Sequence, residues 1–179
     1  LEHNLVGTLN LLEYCRRVKA GFTLISTSRV YSIRPLTSLA VTPVDHAFIM
    51  VPAKAVPAVI DDCAAVGVKA ATIFSAGFAE TGEEGRLIQE RMVATARAAG
   101  VRLIGPNCLG IANITGHTVL SANAVLESQE LVPGRLSLVS QSGSMMGGIV
   151  SRAQERGFGF SKMVSVGNEC DVGVGELVD

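Results

Sequence analysis

Residues 44–74 read VDHAFIMVPAKAVPAVIDDCAAVGVKAATIF, and this stretch decides the fold class. Its run Ala47–Val51 is unbroken and apolar and is bounded by Pro52, as is typical of a strand covered on both faces of a parallel sheet. Apolar residues then recur at helical spacing: Val56, Val59, Ile60 and Cys63. Gly67 supplies a helix stop, and Val68–Phe74 is the next apolar run. The stretch therefore predicts a strand, a helix and a second strand.

The same alternation continues along the chain. Glu83 and Glu84 favour the start of a helix, and Gly100 closes that helix before an apolar strand at Val101–Ile104. Three residues of this helix are predicted to share one apolar face: Ile88, Met92 and Ala96. Strands and helices that alternate with short connections predict an α/β fold with a parallel sheet and right-handed crossovers. Ligands of such sheets bind beyond the carboxyl ends of the strands.

A second unit of the same kind follows a polar stretch. Residues 113–129 show little periodicity, Pro133-Gly134 ends them, and we place a domain boundary between residues 130 and 131. Beyond it the pattern predicts a strand, a helix and a strand, at Leu136–Ser140, Ser144–Arg156 and Lys162–Val166. These three elements are below the usual size of a self-sufficient domain, so the second domain is expected to be truncated.

Composition excludes several classes of protein. The chain has 179 residues, of which 48% are hydrophobic and 17% charged, with a net charge of -1. The apolar runs are far shorter than the roughly 20 residues of a membrane-spanning helix, and the chain is too apolar to stay disordered. A balanced charge argues against a nucleic-acid binder. The four cysteines form no CxxC pair, so neither a zinc site nor a disulfide framework is predicted, and a reducing cytoplasm fits best.

The turn between the first strand and the helix of the second unit is a candidate anion site. Ser142 is a suitable N-cap, Gly143 lets the backbone approach a ligand, and Ser144 follows in the first turn. Free N–H groups and the helix dipole favour phosphate there. Gly147 and Gly148 are costly in a helix, which suggests a close approach by a large group. The alternative is an ordinary capped turn whose glycines allow tight packing.

Three strand ends of the first sheet form a second candidate site. They are small and rich in Gly, Pro and Asn: Val51-Pro52, Ser75-Ala76-Gly77 and Gly105–Gly110, the last with Asn107 and Cys108. The carboxyl ends of parallel strands meet at one edge, so a nucleotide-like ligand could lie across them. The alternative is that turns of this composition connect strands and helices in any α/β protein.

No catalytic or metal-binding pattern is visible. Cys108 has no His near it in sequence, and a buried free Cys is commoner than a nucleophilic one. His3, His46 and His117 form neither an HExxH nor a triad pattern, and we interpret them as structural or exposed. No catalytic residue and no metal ligand is therefore predicted within the chain.

From about residue 43 onward the chain resembles NDP-forming acyl-CoA synthetases, the group that includes the succinyl-CoA synthetase alpha subunit. Three stretches carry the resemblance: residues 44–85, RLIGPNCLGIAN at 102–113, and GRLSLVSQSGSMMGGIVSRAQERGFGFSKMVSVGNECDVG at 134–173. The resemblance implies a Rossmann-like CoA-binding domain followed by the start of a flavodoxin-like domain with a phosphate-holding helix.

The resemblance also implies roles for individual residues. Those matching positions near CoA are Val51, Pro52, Ser75, Ala76, Gly77, Asn107 and Cys108. Those matching the phosphate-binding helix start are Ser142, Gly143 and Ser144. The succinate enzymes carry a substrate-contacting Tyr at the position of Gly147, so other small carboxylic acids remain open as substrates.

The implied activity is formation of an acyl-CoA from acid, CoA and ATP or GTP with Mg, through an acyl phosphate and a phosphohistidine. The implied partner is a beta-type ATP-grasp subunit or domain. The family's catalytic His lies downstream of Asp179 and its Gly-rich loop upstream of Val44, so we expect this chain alone not to turn over. One alternative is a non-catalytic CoA-binding or interaction module.

The first 42 residues resemble a short piece of an extended short-chain dehydrogenase of the NAD-dependent epimerase type. NLVGTLNLL at 4–12 and STSRVY at 26–31 carry this resemblance, which implies a catalytic role for Thr27 and a cofactor contact for Asn4. The YxxxK pair and the Gly-rich loop of that family are absent from the sequence. NAD-dependent epimerisation or reduction is thus a further alternative, and the predicted division is 1–42, 43–130 and 131–179.

Overall fold

The computed structural model describes residues 24–26, 45–127 and 131–178. Its first sheet has four strands in the order β1-β2-β3-β4, and all neighbours are parallel. The strands are β1 (Leu24–Ser26), β2 (His46–Met50), β3 (Ala70–Ile73) and β4 (Arg102–Ile104). This arrangement confirms the predicted α/β class and the parallel sheet. The predicted residues Asn4 and Thr27 lie outside the described part of the chain.

Two helices cover the first sheet. Helix α1 (Val56–Val66) ends at Gly67, whose φ of 78° is the left-handed conformation that a residue with a Cβ rarely adopts. Helix α2 (Glu83–Ala98) carries the two predicted acids in its first turn. Ile88 is exposed, contrary to prediction, because the buried face of α2 begins at Gly85 against the Phe78 carbonyl group. That face is formed by Gly85, Met92, Val93 and Ala96.

The second sheet is mixed, with the order β6-β5-β8-β7. Its strands are β5 (Gly110–Asn113), β6 (Thr118–Ser121), β7 (Pro133–Ser140) and β8 (Phe160–Ser165). Strands β7 and β8 are parallel, whereas β5 is antiparallel to both of its neighbours. Helix α3 (Gly143–Gln154) follows β7, and the short helix α4 (Val174–Val178) follows β8. The strand–helix–strand order predicted for this unit is confirmed.

The hairpin β5–β6 was not predicted, because residues 113–129 were interpreted as an irregular polar stretch. The Asn113 carboxamide oxygen accepts the Gly116 N–H at 2.9 Å and closes the turn. Because β5 already belongs to the second sheet, the chain passes from the first sheet to the second between Ile104 and Gly110. The division into domains at residue 130 stays a prediction.

None of the helices in the described part of the chain is long and apolar enough to cross a bilayer.

The loop after β8 docks on the open edge of β4. The Val172 N–H donates to the Leu103 carbonyl at 3.1 Å, and the Cys170 N–H donates to the Gly105 carbonyl at 3.0 Å. The carboxylate of Asp171, with a side chain only 1% exposed, accepts the Leu103 N–H at 2.9 Å. It also accepts hydrogen bonds from the guanidinium groups of Arg97 and Arg102 at 2.7 and 2.9 Å. The loop thus joins the two sheets.

Asp171 is expected to make the stability of the fold depend on acid pH. Burial alone would raise its pKa, but hydrogen bonds from Leu103, Arg102 and Arg97 outweigh burial and hold the pKa below the ordinary value. The ionised carboxylate therefore stabilises the fold above about pH 4, and this contribution is lost as the pH falls through the folded-state pKa. Asp171→Asn should lower the free energy of unfolding at pH 7 by about 2 kcal/mol.

Urea denaturation at a series of pH values between 7 and 2.5 measures this effect. The Asp171→Asn variant should lose less stability on acidification than the wild type. Asp61→Asn, on the exposed surface of α1, is the matched control and should follow the wild-type curve. An unchanged pH dependence in Asp171→Asn would contradict the assignment.

Candidate functional site

A cleft of about 660 Å³ opens where the carboxyl ends of the two sheets face each other. The segments that follow β3 and β4 form one wall: Phe74, Glu80, Asn107, Cys108 and Leu109. The turn after β7, the start of α3 and the loop after β8 form the other: Gln141, Ser142, Gly143, Ser144, Gly167 and Asn168. Part of the predicted CoA set and the whole predicted phosphate set therefore share one cleft.

The three predicted strand ends of the first sheet are tied together. The Ser75 hydroxyl donates to the Val51 carbonyl oxygen. The Asn107 N–H donates to the Ser75 carbonyl at 2.9 Å, and a Cβ placed on Gly77 would lie 3.1 Å from that of Ala53. These contacts hold the three turns next to one another along the carboxyl edge of the sheet, as the topology predicts.

The turns differ in what they can offer a ligand. Val51 is only 8% exposed and its side chain belongs to the hydrophobic core, so a ligand could reach little more than its main chain. Pro52 and Ala76 are exposed, and Ser75 and Gly77 are half-buried; none of these lines the cleft. Asn107 and Cys108 do line it. The CoA contacts at these positions stay predictions.

The start of α3 has the predicted cap. Ser142 is extended, with φ -90° and ψ 115°, and its hydroxyl oxygen accepts the Met145 N–H at 3.3 Å. Ser144 is exposed, and its Oγ lies 3.2 Å from Oγ of Ser142. No acidic residue occupies the first turn of α3. Two hydroxyl groups and the positive end of the helix dipole therefore face the cleft, which favours an anion.

Two glycines of α3, Gly143 and Gly147, allow close packing of neighbouring side chains of the protein. A Cβ on Gly143 would overlap the Leu109 side chain, and a Cβ on Gly147 would lie 2.7 Å from Oδ1 of Asn123. Asn123 is buried, with 6% exposure, and its amide donates to the Gly143 carbonyl at 2.8 Å. A Cβ on Gly148 would meet nothing within 4 Å. The close approach at Gly147 is thus tight packing rather than ligand access.

Gly147→Ala and Gly148→Ala should therefore have opposite effects. Alanine is favoured over glycine in a helix, so Gly148→Ala should raise the free energy of unfolding by up to about 1 kcal/mol. Gly147→Ala meets Asn123, and overpacking of this kind costs about 1–3 kcal/mol. Urea denaturation of both variants measures the difference. Equal stabilities would contradict the packing described between Gly147 and Asn123.

Asn168, in the loop after β8, links the two walls and was not predicted. Its amide nitrogen donates to Oε2 of Glu80 at 2.5 Å and to Oε1 of Gln89 at 3.1 Å. Its Oδ1 accepts from Nδ2 of Asn107 at 3.4 Å. The signal for Asn168 was available in the sequence, because Gly167-Asn168 follows a parallel strand in the same way as the predicted turns do.

Glu80 carries its negative charge at the cleft. Burial would raise the pKa of its carboxyl, but hydrogen bonds from the Gly77 N–H, the Asn168 amide and the Phe78 N–H outweigh burial and lower it. The carboxylate is therefore ionised at neutral pH, and its lone pairs are directed at donors of the protein.

Cys108 is not a nucleophile in this environment. Its side chain is 3% exposed, and its thiol donates to the Ile73 carbonyl at 3.3 Å. Burial raises its pKa to about 11, so the thiol stays protonated at neutral pH. Cys108 lines the cleft, and its contact with CoA stays a prediction.

The two described histidines lie away from the cleft. His46 starts β2, at the edge opposite the cleft, where Nε2 lies 2.8 Å from Oγ1 of the buried Thr72. Burial lowers the pKa of His46, so it is neutral at pH 7. His117 is exposed in the β5–β6 turn. Within residues 45–127 and 131–178, no three His, Cys, Asp or Glu side chains are grouped to hold a metal ion.

The comparison with protein families decides the family. Residues 22–114 match the model of the CoA-binding domain. The chain belongs to this family. Residues 133–179 match a second model, the succinyl-CoA ligase like flavodoxin domain.

Two relatives of the chain are ADP-forming ligases. It is 40% identical over 136 residues to the alpha subunit of acetate–CoA ligase [ADP-forming] I of Pyrococcus furiosus, covering 76% of this chain and 29% of the relative. It is 40% identical over 126 residues to acetate–CoA ligase [ADP-forming] I of Archaeoglobus fulgidus, covering 70% of this chain and 18% of the relative. The chain therefore spans less than a third of the length of either.

A solved structure agrees in fold. The dinucleotide-forming acetyl-coenzyme A synthetase 1 of Ca. Korarchaeum cryptofilum, in complex with phosphate and ADP, superposes with a TM-score of 0.72 and 30% identity. The match covers 80% of this chain and 30% of that one.

These findings support the ligase part of the resemblance and not its dehydrogenase-like part. The match to the CoA-binding family begins at residue 22, and β1 pairs with β2 inside the same sheet. The start of this match and strand β1 both lie within residues 1–42, the segment that resembles a dehydrogenase. The physical reason is that an apolar strand followed by small polar residues is common to nucleotide-binding parallel sheets, so two short motifs do not separate the families.

Proposed function

We propose that this chain supplies the CoA-binding part and the phosphate-holding helix of an NDP-forming acid–CoA ligase. The observation that carries the proposal is the cleft, in which Asn107 and Cys108 share one space with Ser142–Ser144. CoA and phosphate must meet in such an enzyme. The membership in the CoA-binding family and the ADP-forming relatives support the same proposal.

In the proposed reaction, the acid first takes a phosphoryl group from a phosphohistidine and becomes an acyl phosphate. The CoA thiol then gives up its proton, which ends on the departing phosphate, and its sulfur attacks the acyl carbon. The thioester bond forms as the carbon–oxygen bond to phosphate breaks, and phosphate leaves. N–H groups at the start of α3 would stabilise the negative charge on that phosphate.

The remaining parts of the reaction are assigned outside the described residues. The phosphorylated histidine is one of these parts, since His46 and His117 lie away from the cleft. ATP or GTP with Mg²⁺ would be bound by an ATP-grasp subunit or domain of the complete enzyme. The acid would be a small carboxylic acid, and the cytoplasm is the proposed compartment.

Titration calorimetry of the 179-residue chain with CoA tests the binding half of the proposal. We expect saturable binding, and we expect Asn107→Gly to raise the Kd for CoA about fivefold, because one hydrogen-bonding amide is lost. Glycine is chosen because Asn107 has φ 56°. The matched control is His117→Gly, which changes another positive-φ residue, at φ 51° in the β5–β6 turn, and should leave the Kd unchanged.

The absence of any heat at millimolar CoA, with circular dichroism showing a folded chain, would refute the proposal. Incubation of a complete alpha-type subunit that contains this chain with a beta-type partner and labelled NTP separates the ligase from a non-catalytic CoA-binding module. The ligase requires an acid-labile phosphohistidine in the assembled enzyme. A module that binds CoA would give no such label.

A further inference from the structure

We propose that Asn168 is a positioning residue for the CoA half of the cleft. Its side-chain amide holds the Glu80 carboxylate and the Asn107 amide, two groups from different turns, in one arrangement. The inference rests on the proposed function, since it concerns how the predicted CoA contacts are oriented.

The main chain fixes where Asn168 lies. Its N–H donates to the Pro106 carbonyl at 2.9 Å. Gly167, just before it, has φ 57°, and a Cβ there would overlap the Pro106 carbonyl oxygen and lie 2.6 Å from the Asn107 carbonyl oxygen. The loop after β8 and the turn after β4 are therefore in backbone contact. The Asn168 side chain starts from a position that the packing of these two loops determines.

The amide nitrogen of Asn168 holds the turn after β3. The Glu80 carboxylate accepts the N–H groups of Gly77 and Phe78, at 2.5 and 3.2 Å, and Oε1 of Gln89 accepts the Ala79 N–H at 3.4 Å. The Asn168 amide donates to both acceptors. The bond to Glu80 is charge-assisted, which makes it the stronger of the two. A residue of the loop after β8 thus holds a turn of the first sheet in place.

The carboxamide oxygen of Asn168 orients Asn107. Nδ2 of Asn107 donates one hydrogen to Oδ1 of Asn168, at 3.4 Å. Asn107 is exposed and lines the cleft, so its carbonyl oxygen and its second amide hydrogen remain for a ligand. Without Asn168 the carboxamide of Asn107 could rotate, and binding would have to order it again.

The side chains allow a test in which the donor and the acceptor exchange places. Asn168→Asp puts a carboxylate against Glu80 and should raise the Kd for CoA about tenfold. The double variant Asn168→Asp with Glu80→Gln restores an amide opposite a carboxylate but loses the hydrogen bond from the Phe78 N–H, so its Kd should lie at least about threefold below that of Asn168→Asp without reaching the wild-type value. Asn168→Ala, which removes the hydrogen bonds of both the amide nitrogen and the carboxamide oxygen, should also bind CoA about tenfold more weakly.

The matched control is Asn113→Asp. It adds the same negative charge, and an Asp can still accept the Gly116 N–H in the β5–β6 turn. Its Kd for CoA should stay within about twofold of wild type, because Asn113 lies outside the cleft wall. All variants are titrated with CoA as the full 179-residue chain, at a temperature at which circular dichroism shows each to be folded.

The outcomes separate the two proposals. If the wild type does not bind CoA, the proposed function fails. If the wild type binds and Asn168→Ala binds equally well, the role of Asn168 is overturned while the proposed function stands. If Asn168→Ala does not fold, the double variant decides: recovery of folding without recovery of CoA affinity overturns the positioning role.

Discussion

The docking of the loop after β8 on the edge of β4 is the interaction on which the rest of the site depends. An edge strand has unpaired N–H and C=O groups, and the main chain of residues 170–172 pairs with those of Leu103 and Gly105. The buried carboxylate of Asp171 reinforces the contact by accepting a main-chain N–H and two guanidinium hydrogen bonds. A buried carboxylate is tolerated when such donors satisfy it, so both arginines support the contact.

This docking is what turns two sheet edges into a cleft. Each sheet alone would present its turns to solvent, as any parallel sheet does. With the loop in place, Gly167 touches the turn after β4, and Asn168 reaches the turn after β3. On the other side, Gln141 donates to Glu169 at 3.3 Å, so the turn before α3 is held by the next residue of the same loop. One segment thus orders both walls.

Three of the four strands of the first sheet could be predicted from the sequence because they carry local signals, whereas β1 fell in the segment assigned to a dehydrogenase. Apolar runs mark β2 and β3, and α1 has both helical spacing and a glycine stop. The hairpin carried no such signal, because β5 and β6 are short and half of β6 is exposed. Pairing of β5 with β6 and with β8, rather than apolar periodicity, determines it. The position of Asn168 after a parallel strand was a usable local signal, but its pairing with Glu80 was not. That hydrogen bond joins residues 88 apart in sequence, which no local pattern encodes.

The charges around the cleft determine how it could hold an anion. Among the described residues on its wall none is Lys or Arg, whereas Glu80 is ionised there. A free carboxylate about 4 Å from a phosphate oxygen would repel it by about 4 kcal/mol at an effective dielectric constant of 20, more than a helix terminus returns. The structure lowers this repulsion by directing both Glu80 oxygens at donors of the protein. Asn168 supplies one of these donors, so the group that links the two walls also partly offsets the negative charge beside the proposed phosphate site at the start of α3.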